Sequence, residues 1–145
     1  MFYIDETGEH GLVAALGDIG AAFPWGCQWT EISGADAQFV GSGLQNSLDI
    51  IAGCTEVSIA GSVALNTSID GYSDWYLPSI LELKEMHNSI GPGSSDADIA
   101  GLGNDSYWSS SESGDQFALC FYCNHGGYLS KYKSSMHLVR TVRAF

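Results

Sequence analysis

The sequence is poor in positive charge. Five lysines and arginines stand against 17 aspartates and glutamates, which gives a formal net charge of −12 at pH 7. A protein that binds nucleic acid needs basic side chains to neutralise the phosphates, so this composition argues against a nucleic-acid partner. The charge is also uneven, since residues 1–116 hold every acid and residues 117–145 hold four of the five bases. We expect the basic end to pair with the acidic remainder of the chain or to pack across its aromatic rings.

Long apolar runs and export signals are also missing. No run reaches the roughly 20 residues that a membrane-spanning helix needs, so we do not expect membrane insertion. No N-terminal stretch has the pattern of a signal peptide. The opening residues 1–5 resemble the middle of a strand, which leaves open that this chain is the C-terminal domain of a longer protein.

The motifs of common catalytic sites are absent as well. The serines of Ser109–Ser111 lack the G-x-S-x-G context of a nucleophile elbow, and no glycine-rich loop of the phosphate-binding kind is present. Paired carboxylates occur throughout so acidic a chain and carry little information. We therefore predict that the protein is not an enzyme, with no catalytic residues and no cofactor.

Cysteine is scarce, with four in 145 residues. A domain of this length buries about 70% of the surface that its unfolded chain exposes, so it does not need covalent links to fold. The spacing is also unlike the dense cysteine pattern of small secreted proteins. We favour free thiols, with a Cys27–Cys54 disulfide as the alternative left open.

Two groups of residues have side chains that bind metals. The first group is Cys120, Cys123, His125 and His137. Its two cysteines are three residues apart, so on a continuous strand they point to opposite faces and do not reach one zinc ion. The second group consists of the loop residues Asp96, Asp98, Asn104 and Asp105. Their spacing differs from an EF-hand, and polar loops of this kind are usually solvated turns. We predict no metal site in either group.

The stretch Gly71–Leu83 (GYSDWYLPSILEL) holds the strongest local signal. Pro78 disfavours helical geometry at the residue before it. Ser79 and Glu82 then have the spacing of a capping box, in which each side chain accepts a hydrogen bond from the other residue's backbone amide. Apolar side chains recur at spacings of three and four over the following turns. The pattern predicts a helix over 79–90, and a Gly-Pro-Gly sequence ends it.

The remaining periodicities predict an α+β domain that spans residues 1–145. An N-terminal hairpin is expected from strands at 2–4 and 12–15, and two further helices are expected at 43–52 and 58–68. Four C-terminal strands are expected at 107–108, 117–122, 127–132 and 138–145. A short strand is also expected near residues 28–32, within a loop rich in glycine and aromatic residues. The predicted architecture is a set of short helices packed on an antiparallel sheet that the C-terminal third mostly supplies.

The segment 114–138 has the composition of a binding surface. Tyrosine, serine, glycine and histidine dominate it, as they do in antibody loops, where tyrosine gives broad contact area and the small residues adapt. We predict the ligand-binding residues to be Asp115, Gln116, Ala118, Cys120, Tyr122, Cys123, His125, Gly127, Tyr128, Ser130, Tyr132, Ser134, Ser135 and His137. Three of them are the expected aromatic anchors, namely Tyr122, Tyr128 and Tyr132. An ordinary sheet edge rich in the same residues is the plainer alternative.

Four motifs carry a resemblance to a known family. They are FYID…GEHGLVA at 2–14, GYSDWYLPS…EL at 71–83, YWSSSE at 107–112 and VRTVRAF at 139–145. Together they resemble the domain family that includes the C-terminal domain of the collagen-like adhesins (Lcl). The resemblance implies a C-type-lectin-like fold and covers nearly the whole chain. The formylglycine-generating enzymes share that broad fold, but their cysteine pair does not map onto Cys120 and Cys123.

The ending VRTVRAF also resembles the variable proteins of diversity-generating retroelements, found in phages and bacteria. In those proteins adenine-directed mutagenesis randomises codons of a C-terminal region. All the predicted ligand-binding residues except Gln116 can be reached from an asparagine AAY codon by replacing adenines. The resemblance implies a non-catalytic domain on a virion or cell surface that displays a variable region over about 114–138 and binds a protein or glycan. An undiversified adhesin domain, or a structural module whose C-terminal strands assemble into oligomers, is the alternative.

Overall fold

The computed structural model describes residues 1–95 and 97–145. Within them the chain forms six strands and three helices. In chain order they are β1 (Tyr3–Ile4), β2 (Gly11–Ala14), α1 (Gly43–Gly53), α2 (Ala60–Leu65), α3 (Ile80–Ile90), β3 (Ser106–Glu112), β4 (Phe117–Tyr122), β5 (Gly127–Tyr132) and β6 (Val142–Ala144). No helix in these ranges is both long and apolar enough to cross a membrane.

The strands form two small antiparallel sheets, so the predicted α+β class is confirmed. One sheet has the order β1-β2-β6, and the other has the order β3-β4-β5. The N-terminal hairpin was expected, but the C-terminal strands do not form a single sheet. The final strand β6 pairs with β2, from Leu12↔Ala144 to Ala14↔Val142. The last strand of the chain therefore ties its two ends together.

Helix α3 begins as its sequence predicts. Ser79 is the N-cap, its hydroxyl accepts a hydrogen bond from the Glu82 amide at 3.3 Å, and the Glu82 carboxylate accepts one from the Ser79 amide at 2.8 Å. The helix buries Ile80, Leu83 and Met86. The Glu82 carboxylate is itself buried and also accepts from the Gly41 amide at 2.8 Å. Burial raises the pKa of Glu82, although its hydrogen bonds to backbone amides act in the opposite direction.

Two apolar clusters flank the sheet of β3, β4 and β5. One includes Tyr107 and Phe121 and packs against α3. The other includes Trp25 and Trp108 and packs against α1 and α2. Both tryptophans are fully buried, and their ring N–H groups donate to backbone carbonyls at 2.9 and 2.8 Å. Trp75, from the Gly71–Leu83 stretch, is also buried but is in neither cluster.

Arg140 joins three parts of the acidic chain to the basic end. Its buried guanidinium donates to the Asp18 carboxylate at 2.7 Å and to the carbonyls of Ala15 and Ala100 at 3.2 and 2.5 Å. The group also lies 5.9 Å from the Tyr107 ring centre. With further ion pairs of Lys133 and Arg143 to acids, the expected pairing of the basic end with the rest of the chain is confirmed.

Two expectations for the segment before α1 are wrong. No strand forms at residues 28–32, because the backbone turns there and Trp29 has a φ of +77°. Cys27 and Cys54 form a disulfide, although free thiols were favoured. The bridge closes a loop with a sequence separation of 27, which stabilises a fold by about 3–4 kcal/mol in the chain-entropy account. It fastens this irregular segment to the end of α1.

The N-cap of α3 provides a test of the fold. We expect Ser79→Ala to lower the free energy of unfolding by about 1–2 kcal/mol, since it removes the cap and one of the hydrogen bonds that the Phe39 carbonyl accepts. The measurement is urea denaturation followed by circular dichroism. Ser89→Ala, on the exposed face of the same helix, is the matched control and should change stability by less than about 0.5 kcal/mol. Equal losses in the two variants would contradict the assigned cap.

Candidate functional site

The β4–β5 hairpin carries most of the predicted ligand-binding residues. The strands pair in regular antiparallel register from Phe117↔Tyr132 to Tyr122↔Gly127. In the turn between them Gly126 has a φ of +64°, a conformation that glycine adopts without strain. Its amide donates to the Tyr122 carbonyl at 3.0 Å. This turn fixes the register, and the register decides which side chains share a face.

The predicted residues divide into an exposed set and a buried set. The exposed or partly exposed residues are Asp115, Gln116, Tyr122, His125, Gly127, Tyr128, Ser130, Tyr132, Ser134, Ser135 and His137. Ala118, Cys120 and Cys123 are buried, with exposed fractions of 0%, 0% and 3%. Ala118 and Cys120 lie on β4, whose two faces are both covered, and Cys123 follows that strand and packs in the cluster beside α3. These three side chains therefore belong to the core and not to an outer surface.

The three expected anchor tyrosines do not lie on one face. Cross-strand partners share a face, so Tyr128 and Tyr132 lie with Phe121 and Phe117 on the α3 side of the sheet. The Phe117 and Tyr132 rings are 4.7 Å apart. Tyr122 lies on the opposite side of the sheet, the side that Leu129 and Lys131 of β5 also face. The exposed predicted residues therefore lie on both faces of the sheet, around its edge strand β5.

A shallow cleft of about 290 Å³ lies at the turn end of the hairpin. We call it the hairpin cleft, and its lining residues are Tyr122, His125, Gly127, Tyr128, Leu129 and Lys131. The Lys131 ammonium lies 5.4 Å from the centre of the Tyr122 ring, so one wall presents an aromatic face beside a positive charge. Such a wall suits an apolar group with a polar or negatively charged edge.

His137 stands behind the hairpin cleft. Its ring packs edge-on against Trp108 at 4.7 Å and lies 6.3 Å from the Tyr122 ring. Its Nδ1 atom is 2.8 Å from the Ser106 hydroxyl. Burial, together with the nearby Lys131 charge, holds the pKa of His137 below its usual value. A neutral ring at pH 7 therefore supports Tyr122 without adding a second positive charge.

A buried ion pair fixes the other end of β5. The Lys133 side chain is fully buried, and its ammonium contacts the Glu112 carboxylate at the end of β3. The ammonium also donates to the Thr30 carbonyl at 2.7 Å and lies 4.7 Å from the centre of the Trp25 ring. Both oxygens of Glu112 accept from the Ile32 amide, at 2.9 and 3.0 Å. The pair holds the backbone after β5 against the core.

The residues of the two possible metal groups are placed as follows. Cys120 packs in the tryptophan-containing cluster and Cys123 in the cluster beside α3, so their side chains enter different cores. Asp96 lies outside the described residues. The Asp98 carboxylate accepts from the amides of Leu102 and Gly103, at 2.9 and 2.5 Å, which is a local turn contact.

Sequence reasoning missed two surface features. Leu129 is 60% exposed and lines the hairpin cleft with Lys131, although neither was predicted as a contact residue. Side chains alternate between the two faces along β5, and the pairing with β4 places Leu129 and Lys131 on the same face as Tyr122. That alternation is the sequence signal that could have found them. A second cleft, of about 500 Å³, lies between β2 and the segment around Trp75, with Tyr72 and Arg143 in its wall. We call it the tryptophan cleft.

These features define an α+β domain that presents one edge hairpin on a rigid support. The chain belongs to the Lcl C-terminal domain family, whose model matches residues 24–143. Its fold is similar to that of a solved fimbrial protein from Bacteroides ovatus ATCC 8483, with a TM-score of 0.56 and 16% sequence identity. That alignment covers 91% of this chain and 35% of the fimbrial protein, so this chain corresponds to about a third of it. No curated protein matches the chain.

The free thiols provide a test of the core placement. Burial raises the pKa of Cys120 and of Cys123 to about 12. At pH 8 only about one thiol in 10,000 is then ionised, so we expect neither to react with Ellman's reagent in the native protein. Both should react in guanidinium chloride. Ser134→Cys, which adds an exposed thiol, should react at once in the native state, and rapid labelling of the wild type would contradict the buried placement.

The ion pair under β5 provides a second test. Lys133→Met leaves the Glu112 carboxylate buried without its cation, and we expect it to lower the free energy of unfolding by about 3–5 kcal/mol. Adding Glu112→Gln should restore part of that loss, because no buried charge then remains. Lys84→Met, at an exposed lysine of α3, is the control and should have little effect. Chemical denaturation compares the wild type, the two single variants and the double variant. If Lys133→Met lowers the free energy of unfolding no more than Lys84→Met does, the assigned role of the ion pair is wrong.

Proposed function

We propose that this chain is a non-catalytic binding domain of a surface adhesion protein. In this proposal it recognises a protein or glycan target with the hairpin cleft and the neighbouring side chains of β5. The observation that carries the proposal is the contrast within one sheet. Every residue of β5 is exposed or partly exposed, whereas β3 and β4 are almost wholly buried. Side chains on β5 are therefore held in place by strands whose own side chains are buried except at the strand ends.

The comparisons and the disulfide are consistent with a surface location. The family takes its name from the C-terminal domain of Lcl, and the solved structure of similar fold is a fimbrial protein. A disulfide such as Cys27–Cys54 persists in oxidising compartments, which include the cell exterior. We propose an extracellular or virion-surface location on these grounds.

The finer part of the proposal is that the domain has a C-type-lectin-like fold and is a variable protein of a diversity-generating retroelement. Eleven of the fourteen predicted residues are at least partly exposed, which supports a region whose side chains can be exchanged. Exposed positions on a strand tolerate substitution, usually within about 0.5 kcal/mol. Sequencing the neighbouring DNA tests the idea. A reverse-transcriptase gene beside a near-identical repeat that differs only at adenines is the expected result, and its absence would leave an undiversified adhesin domain.

The hairpin cleft is tested by matched tyrosine variants. A screen against immobilised glycans and surface proteins first identifies a target. We then expect Tyr122→Ala and Tyr128→Ala each to weaken binding at least tenfold, since aromatic side chains at the centre of an interface contribute most of its affinity. Tyr72→Ala is the control, because Tyr72 is 50% exposed and lines the tryptophan cleft instead. Melting temperatures of the three variants should differ by only a few degrees. If only Tyr72→Ala weakens binding, the target binds at the tryptophan cleft and not at the hairpin cleft.

A further inference from the structure

β5 is the exposed edge of its sheet. Natural sheets keep edges short, covered or interrupted, because unpaired backbone groups invite another strand. In the described part of the chain β1 has two residues and β6 has three. The outer edge of β3 is covered by the segment around Leu138, which exchanges backbone hydrogen bonds with Ser106 and Trp108 at 3.1 and 3.0 Å. β5 has six residues in unbroken register and pairs only with β4.

The backbone of β5 alternates between the two sides of the strand. The Lys133 amide donates to the Gln116 carbonyl at 2.9 Å, so residue 133 faces β4. In an antiparallel ladder every second residue does the same. Lys131, Leu129 and Gly127 therefore face β4, and the backbone N–H groups of the alternate residues 128, 130 and 132 point away from the sheet. The carbonyls of residues 128 and 130 point the same way, while that of residue 132 also accepts from the Ser135 amide.

The usual features that protect an edge are weak here. β5 contains no proline and its register shows no bulge. Its one charged residue, Lys131, extends over the Tyr122 ring at 5.4 Å, on the face of the sheet and not along its edge. Three large side chains on the strand are exposed, with fractions of 40% for Tyr128, 60% for Leu129 and 51% for Tyr132. These values leave apolar surface beside the unpaired backbone groups.

We propose that β5 pairs with β5 of a second copy of this chain. The outward-facing residues are symmetric about Ser130, so an antiparallel pair with its two-fold axis at Ser130 places Ser130 opposite its counterpart and Tyr128 opposite Tyr132. The outward N–H groups then all find acceptors. The two tyrosine pairs form on the α3 side of the joined six-stranded sheet, and Leu129 packs on the Lys131 stem on the other side. Because backbone groups make these hydrogen bonds, the pairing tolerates exchange of side chains on the strand.

Charge permits this partner at this edge. Residues 117–145 contain no acid, so the carboxylates that give the chain its net charge of −12 lie elsewhere in the sequence. The overall repulsion between two copies remains, and salt screens it. The contact involves one strand from each copy, which places it near or below the roughly 1,000 Å² expected of a stable interface. The association is therefore concentration-dependent and stronger at 0.5 M than at 0.05 M sodium chloride.

Sedimentation velocity of the purified domain tests the pairing. Between about 10 µM and 1 mM we expect the mean mass to rise from 15.5 kDa towards twice that value, and to rise further with salt. Ser130→Pro removes one outward N–H and the exposed hydroxyl contact with Ser113 without breaking a bond to β4, so it should remain monomeric at a melting temperature close to that of Ser130→Ala, which loses the same contact. Ser130→Ala keeps the N–H and should associate as the wild type does. A wild type that stays monomeric throughout, or a proline variant that still dimerises, overturns the proposal.

A second variant tests the register and does not depend on how well the proline variant folds. Opposite residues in a hydrogen-bonded antiparallel pair have Cα atoms about 5.5 Å apart, a distance that a disulfide spans. Ser130→Cys should therefore oxidise to a covalent dimer at 100 µM, whereas Ser134→Cys, exposed but beyond the strand, should form at least tenfold less. Equal yields from the two variants overturn the two-fold register. Tyr128 belongs to both the hairpin cleft and the proposed strand pair, so Tyr122→Ala separates the two proposals. Tyr122 lies on β4, outside the paired strand, and its replacement should weaken target binding without changing the mass of the dimer.

Discussion

The ion pair between Lys133 and Glu112 connects three parts of the chain that are distant in sequence. Glu112 ends β3, Lys133 follows β5, and the loop at Thr30 and Ile32 supplies the remaining hydrogen bonds. A buried charge without its partner is very unfavourable, so these segments have one arrangement in which all the charged atoms are satisfied. The end of β5 is fixed by this arrangement, although the strand itself faces solvent. The exposed strand β5 is thus held in position by a buried ion pair at its end.

The position of β4 explains why the exposed residues of the hairpin concentrate on its neighbour β5. Its side chains enter both apolar clusters, Ala118 and Cys120 on one side and Leu119 and Phe121 on the other. Removing apolar atoms from such positions costs a fold several kcal/mol, whereas exposed strand positions accept most substitutions. In this sheet the side chains of β4 cannot be exchanged without loss of stability, whereas those of β5 can. A binding module gains from that division, because its contact residues can change while its backbone does not.

Local signals made part of this fold predictable. The capping box at Ser79 and Glu82 and the glycine after Ile90 determine α3 within about a dozen residues, and the structure has the helix as the sequence predicts. The β4–β5 hairpin follows from its period of two and its glycine turn. These elements depend on neighbours in sequence, which is why reading the chain alone finds them.

Tertiary contacts decided the rest. Ala118 and Cys120 were predicted to be contact residues beside Tyr122, but a central strand with a core on each side buries them both. The Cys27–Cys54 bridge depends on the approach of an irregular loop to α1, which no spacing rule contains. Likewise Trp25 and Trp75 are both buried, and only the surrounding side chains place Trp25 inside an apolar cluster and Trp75 in the wall of a cleft.

The disulfide also makes the stability of the fold depend on the redox conditions around the protein. Cys27 lies next to Gly26 and Trp25, and through Trp25 it adjoins the cluster that supports the hairpin from below. In a reducing compartment this loop has only non-covalent contacts, and its unfolded state regains the freedom that the bridge removes. Reduction of the bridge therefore loosens the segment around Trp25, and oxidation restores the restraint.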